Sequence, residues 1–211
     1  MGLDMYLSKV RTHGHTLEEV SLVSDYVDWK NRGTEYSFKE WCNKEEPSAE
    51  LVADLESEVH EVGEYSKWLT AFDEIGYWRK ANQIHNWFVE NVQGGEDDCG
   101  TYPVSKEQLE ELLEKCEYVL DNVNVVKGKV KNGSTYSNGE WHDNLEEGET
   151  LDELSQTLCA SVLPTTSGFF FGGTDYDGYY LEDIKDTIEI IKSALANTDF
   201  DTETICYSSS W

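Results

Sequence analysis

Arg79, Asn82, His85 and Asn86 recur at three- and four-residue steps in Gly-Tyr-Trp-Arg-Lys-Ala-Asn-Gln-Ile-His-Asn-Trp-Phe-Val, residues 76–89. On a helix that spacing puts Arg79, Asn82 and Asn86 on one stripe with His85 alongside. A guanidinium that forks bidentately would then orient a carboxylate or a phosphate. Beside the turn Thr165-Thr166-Ser167-Gly168, such a stripe would let a small enzyme or binding protein sequester or hydrolyse a nucleotide signal. A phosphate site gathers several cations, however, and only Lys80 accompanies Arg79 here. An arginine held by a neighbouring carboxylate, and His85 hydrogen-bonded within a helix interface, are the plainer readings.

Other chemistry finds less support. His13-Gly14-His15 would need His60, His85 or His142 to complete a zinc site, and nothing in the spacing brings them together. Asp175-x-Asp177-Gly178 lacks the third ligand, the glycine position and the distal Glu of an EF-hand loop. The phosphate-binding loop, the nucleophile elbow, the H-E-x-x-H zinc motif and the dinucleotide fingerprint are all missing. No metal or cofactor is expected, and the chain reads more as a binder than as an enzyme.

Charge says more. Forty-three Asp and Glu against sixteen Lys and Arg give −27 at pH 7. A surface this anionic repels nucleic acid and anionic membranes but speeds encounter with a basic groove. Between Lys131 and Lys185 there is no Lys or Arg, while Glu140, Asp143, Glu146, Glu147, Glu149, Asp152, Glu153, Asp175, Asp177, Glu182 and Asp183 accumulate. A second run gathers Glu45, Glu46, Glu50, Asp54, Glu56, Glu58, Glu61 and Glu64 around Lys44. Such runs usually form a solvated face. On a helix, acids two to four residues apart would also approach the charge density of duplex DNA, about one charge per 1.7 Å. The partner expected is a host protein with a basic surface, and the region from Glu140 to Asp177 is the expected contact.

The elements that must carry these residues follow from periodicity. Leu3, Met5 and Leu7 alternate with Asp4, Tyr6 and Ser8, the signature of a strand over 2–11. Thr16-Leu-Glu-Glu opens a helix, Ser37-Phe-Lys-Glu-Trp a short one, and Pro47 starts a third through Leu51 and Leu55 to Val59. Trp78, Ala81, His85, Phe88 and Val92 predict a helix over 76–92, stopped by Gly94-Gly95. Ser105 with Gln108 caps the next, striped by Leu109, Leu112, Leu113, Cys116, Val119 and Leu120.

Beyond that helix, a hairpin turning at Asn132-Gly133 joins Val123–Val130 to Ser134–Trp141. A helix over 150–159, a short buried strand over 168–171, a long helix over 179–196 and a strand over 204–207 complete the pattern. The cluster of Phe169, Phe170 and Phe171 with Tyr176, Tyr179 and Tyr180 is either core or interface; core is the favoured reading for the phenylalanines and less so for the tyrosines, whose hydroxyls suit half-wet contacts. The fold class is α+β: one domain over 1–211, with a small antiparallel or mixed sheet packed by amphipathic helices and an acidic helical elaboration over 12–68.

Seven Trp, twelve Tyr and seven Phe exclude a disordered acidic chain. No apolar run approaches the ~20 residues of a membrane span, and Met1-Gly2-Leu3-Asp4-Met5-Tyr6 has neither the order of a signal peptide nor the Ser or Thr of a myristoylation site. Cys42, Cys99, Cys116, Cys159 and Cys206 are odd in number and without a C-x-x-C pair, which points to core thiols in a reducing cytoplasm.

Met1-Gly-Leu-Asp-Met-Tyr-Leu7, the 76–89 segment, Leu163-Pro-Thr-Thr-Ser-Gly-Phe-Phe-Phe-Gly172 and Tyr176-Asp-Gly-Tyr-Tyr180 together resemble a family of small phage and prophage proteins with no assigned activity. The likeness spans the first strand and most of 76–196, leaving 12–68 specific to this chain. The phage setting it implies points to host take-over, and with the charge that gives the expectation of an acidic protein in the host cytoplasm that binds and inhibits a nucleic-acid-handling host factor, of the anti-defence or anti-CRISPR kind and a possible DNA mimic.

Overall fold

The structure, a computed structural model, describes residues 2–61, 68–70, 72–168 and 170–211. In chain order it contains β1 (Asp4–Arg11), α1 (Leu17–Arg32), α2 (Phe38–Cys42), α3 (Ala49–Leu55), a 3-10 turn (Glu56–Glu58), β2 (Val59–Glu61), β3 (Trp68–Thr70) and β4 (Asp73–Arg79). There follow α4 (Asn82–Asn91), β5 (Thr101–Val104), α5 (Lys106–Asn122), β6 (Val125–Ser137), β7 (Glu140–Leu151), α6 (Glu153–Val162), α7 (Gly178–Asn197) and β8 (Glu203–Ser210). The class is α+β, as the patterning predicts. One sheet has the order β4-β1-β8-β5, while β2 pairs antiparallel with β3 and β6 with β7. Among the described residues no helix is long and apolar enough to cross a membrane.

The chain groups into two compact units: Met1–Tyr6, Gly76–Ala196 and Tyr207–Trp211 in the first, Leu7–Ile75 and Asn197–Cys206 in the second. In the second unit, Thr16 and Glu19 close the capping box that starts α1, and Gly33 ends it at φ 59°. Val20, Val23 and Val27 of that helix bury against Leu55 and Val59. Ser37 and Glu40 repeat the box for α2, setting Phe38 among the rings of Tyr26, Trp29 and Trp41. Ser48 caps α3, so Pro47 lies just outside it, and the helix stops at Leu55 short of the expected Val59. Glu56 and Glu58 fall where the helix dipole is negative, and there the chain tightens into the 3-10 turn.

The first unit centres on Leu3, Met5, Ile84, Phe88, Leu109, Leu112 and Tyr207, each fully buried. Phe88 and Tyr207 stack at 3.9 Å, and the Trp78 indole donates to Thr187 Oγ1 at 2.9 Å, joining β4 to α7. Ser105 and Gln108 form the expected capping box, and Leu109, Leu112, Cys116 and Val119 are the buried stripe of α5. The helices around 106–122 and 178–197 and the last strand lie where periodicity puts them.

Further expectations change. Residues 76–79 belong to β4, with Gly76 and Trp78 buried and Tyr77 and Arg79 exposed; Lys80, at φ 68°, turns the chain before α4 begins at Asn82. The hairpin turns at Asn138-Gly139, with φ 53° and 87°, and Asn132-Gly133 lies in the register shift between Lys131 and Ser134. That carries β7 through Leu151, so the following helix starts at Glu153, with Asp152 as its cap. Among the described residues of 168–171 there is a turn and no strand: Phe171 N–H bonds Gly168 O at 3.3 Å, Phe171 is buried and Phe170 is 40% exposed. Phe169 lies outside the described residues.

Candidate functional site

Asn82, at the first turn of α4, shows how the polar residues of this region are used. Its side-chain amide donates to Phe171 O at 3.2 Å and Gly173 O at 2.7 Å, and its oxygen accepts from Thr166 N–H at 3.0 Å. The side chain is 1% exposed, so it clamps the 166–173 loop and has little left to offer a ligand. Arg79 is on β4, off the predicted stripe, and its guanidinium donates to Asp4 at 3.0 Å, while Tyr77 OH also donates to Asp4. This is the held arginine that the acidic background favours.

The four expected ligand residues therefore divide. Arg79 lines a cavity of about 550 Å³ together with Lys80, Lys131, Gln83 and five carboxylates, Asp175, Asp177, Glu182, Asp183 and Asp186. Lys131 is paired to Asp143 at 2.7 Å, so two of the three cations already have partners. Asp183 accepts from Gln83 at 3.1 Å, yet burial pushes its carboxyl up to about 6, with Asp186 and Glu182 adding to the effect. Asp177 is raised too, by burial first, although it accepts the backbone N–H groups of Tyr179 and Tyr180 at the start of α7. A wall this rich in carboxylates opposes a phosphate.

His85 and Asn86 line a different cavity of about 400 Å³. Tyr207 OH lies 2.7 Å from His85 Nδ1, and Asp97 Oδ2 lies 3.0 Å from His85 Nε2, both within hydrogen-bond distance. Trp211 Nε1 donates to the other Asp97 oxygen at 3.1 Å. The imidazole is 1% exposed with both nitrogens engaged, and it ties α4 to the last strand and to the loop at Asp97. That is the hydrogen-bonded histidine of the plainer reading.

The predicted acidic surface is split by the hairpin. Lys127 faces Glu149 and Lys129 faces Glu147 across the strands. With a period of two, Asp143, Glu147 and Glu149 share a face with Lys127, Lys129 and Lys131, and Glu140 and Glu146 point the other way. Same-face acids on a strand fall about 7 Å apart, far sparser than the ~1.7 Å of duplex DNA. Asp143 is held below the usual carboxylate range by Lys131 and then Ser134. Asp152 is likewise lowered, by Asn124 and then Ser155, as the cap of α6; Glu153 lies in that helix's first turn. Asp175 and Asp177 belong to the first cavity.

What sequence reading missed lies at the hairpin's far end. Residues 131–147 are all exposed, and Tyr136 and Trp141, at 60% and 71%, pair across the strands with ring centres 5.3 Å apart. Leu145 is 58% exposed on the same face. Turning the chain at the second Asn-Gly would have revealed the pair. A second omission is on α5, where Glu107, Glu110, Glu114, Glu117 and Asp121 recur at three- and four-residue steps. There the helical charge spacing sought in 140–153 actually occurs, though Lys106 and Lys192 pair with Glu110 and Glu117.

Elsewhere, His13 pairs with Glu58 at 3.4 Å and His15 with Asp54 at 3.3 Å, while the His60 and Glu61 side chains and Glu64 lie outside the described residues. Among the described residues no three His, Cys, Asp or Glu side chains are placed to hold a metal ion. Cys116, Cys159 and Cys206 are buried, Cys42 is half-buried, Cys99 is exposed, and all are free thiols. Compared with protein-family models, curated proteins and solved structures, the chain matches none.

Proposed function

We propose that this chain is an acidic interaction protein whose β6–β7 arm docks a partner with a basic, nucleic-acid-handling surface and blocks it. The observation that supports the reading is the exposed Tyr136–Trp141 pair at the end of an arm whose residues 131–147 face solvent on both sides. Large rings left in water cost a protein solubility, and Trp and Tyr are the residues that dominate binding energy when a partner covers them. The charge of −27 sets the partner's sign.

The mode differs from the sequence expectation of a DNA mimic. Three lysines against five carboxylates between Val125 and Leu151 give the arm a mixed surface, so it would anchor through rings while the rest of the anionic body steers encounter. Resemblance to phage proteins makes a host defence nuclease or effector the partner class to try first. The test uses purified basic nucleic-acid-binding effectors with wild-type protein and Trp141→Ser. The expected result is binding that weakens with salt and falls at least tenfold in the variant. Equal affinity of both proteins for every effector bound would overturn the arm's role.

A further inference from the structure

The cavity beside α4 carries a second possibility. Phe171 and Trp211 approach edge to face at 5.8 Å, and His85 meets Phe171 edge-on at 5.1 Å, so three rings line one hollow of about 400 Å³. Trp211 is 49% exposed but not loose, since its indole N–H is fixed on Asp97 at 3.1 Å. Asp97 and Glu90 are the charged residues of the lining, and among the described residues no lysine or arginine contributes to it. Asp97 sits between His85 Nε2, 3.0 Å away, and the Trp211 indole N–H, 3.1 Å away.

Ring faces are electrostatically negative, and aromatic walls with nearby carboxylates attract weakly hydrated organic cations. The same wall repels phosphate and offers a neutral ligand no comparable attraction. The volume suits a head group plus a short stem. We infer that this cavity binds an alkylammonium or guanidinium head, carried by a small amine or by a lysine or arginine side chain of a partner. The cavity would act whether or not the hairpin docks anything.

Choline, its neutral isostere 3,3-dimethylbutan-1-ol, and a short peptide bearing one trimethyllysine separate the possibilities. The probe signal is the indole N–H resonance of Trp211, assigned by its loss in Trp211→Phe. Choline should shift it saturably at millimolar concentration, the isostere should not, and Glu90→Gln, at an exposed position, should weaken choline at least fivefold. A peptide binding tenfold tighter than choline identifies a macromolecular source, and equal affinity a small amine. No saturable shift with either cation, or the same shift with the isostere, would overturn the inference.

Discussion

The β6–β7 arm and the α4 region use polar and aromatic residues in opposite ways. In α4, Asn82, Gln83 and His85 are buried and each is committed to the protein's own fold: a loop clamp, a carboxylate partner and a link to the last strand. In the arm, residues 131–147 are exposed, and a tryptophan and a tyrosine pair with each other and face solvent. A spacing that suggests chemistry can thus be consumed by architecture, because buried polar groups must find partners. Residues left uncommitted are the better guide to what the molecule meets.

Breaking the first side of that contrast should have the largest effect. Asn82→Ala removes three hydrogen bonds and strands the Phe171 and Gly173 carbonyls and the Thr166 N–H, so urea denaturation should show a loss of about 3–5 kcal/mol. A loss below about 1 kcal/mol would mean that water replaces the clamp.

Asp183 should act with the opposite sign. Its folded pKa of about 6 lies above the unfolded value near 3.9, so the native state binds the proton more tightly, and stability falls as pH rises from ~4 through ~6. Asp183→Asn should therefore be about 2 kcal/mol more stable than wild type at pH 8, with the difference vanishing near pH 4. Denaturation curves across that range, read as variant minus wild type, isolate this group from the other carboxylates; a flat difference would contradict the raised carboxyl of this half-buried residue.

Tyr207→Phe should cost about 1–2 kcal/mol by leaving His85 Nδ1 without its hydroxyl partner while the Phe88 stack is kept. The smallest effect belongs to the arm: Trp141→Ser should change the thermal midpoint by no more than a few degrees, because the side chain is 71% exposed and its ring pairs across the strands with Tyr136. A large drop would make the pair a structural staple and remove it as a docking anchor.

Local signals were legible where the residues that decide an element lie within it. The Thr16–Glu19, Ser37–Glu40 and Ser105–Gln108 boxes are satisfied by residues three apart, and the stripe of α5 needs no distant partner. Trp78 was misread because its indole fits a helical recurrence with Ala81 and His85, while its actual partner is Thr187 on α7. The alternation of Gly76, Tyr77, Trp78 and Arg79 was the competing signal. The hairpin offered two Asn-Gly dipeptides, and only the second lets the lysines at 127 and 129 oppose Glu149 and Glu147. The division of Arg79 from His85 and Asn86 into two cavities was invisible, since one residue in left-handed conformation, Lys80, redirects the chain between them.

Gly128 and Gly148 face each other in the hairpin ladder. A Cβ on Gly148 would come within 2.5 Å of a Val130 methyl, and one on Gly128 within 2.7 Å of the Thr150 methyl. Bulk at the arm's base is thus already shared out along two diagonals, with no room for an added methyl unless its counterpart shrinks. Sequence drift here must be concerted, position 148 with 130 and position 128 with 150. Homologues that keep the arm should carry these as compensating swaps, a covariation that would record the arm's geometry even where its tip has changed beyond recognition.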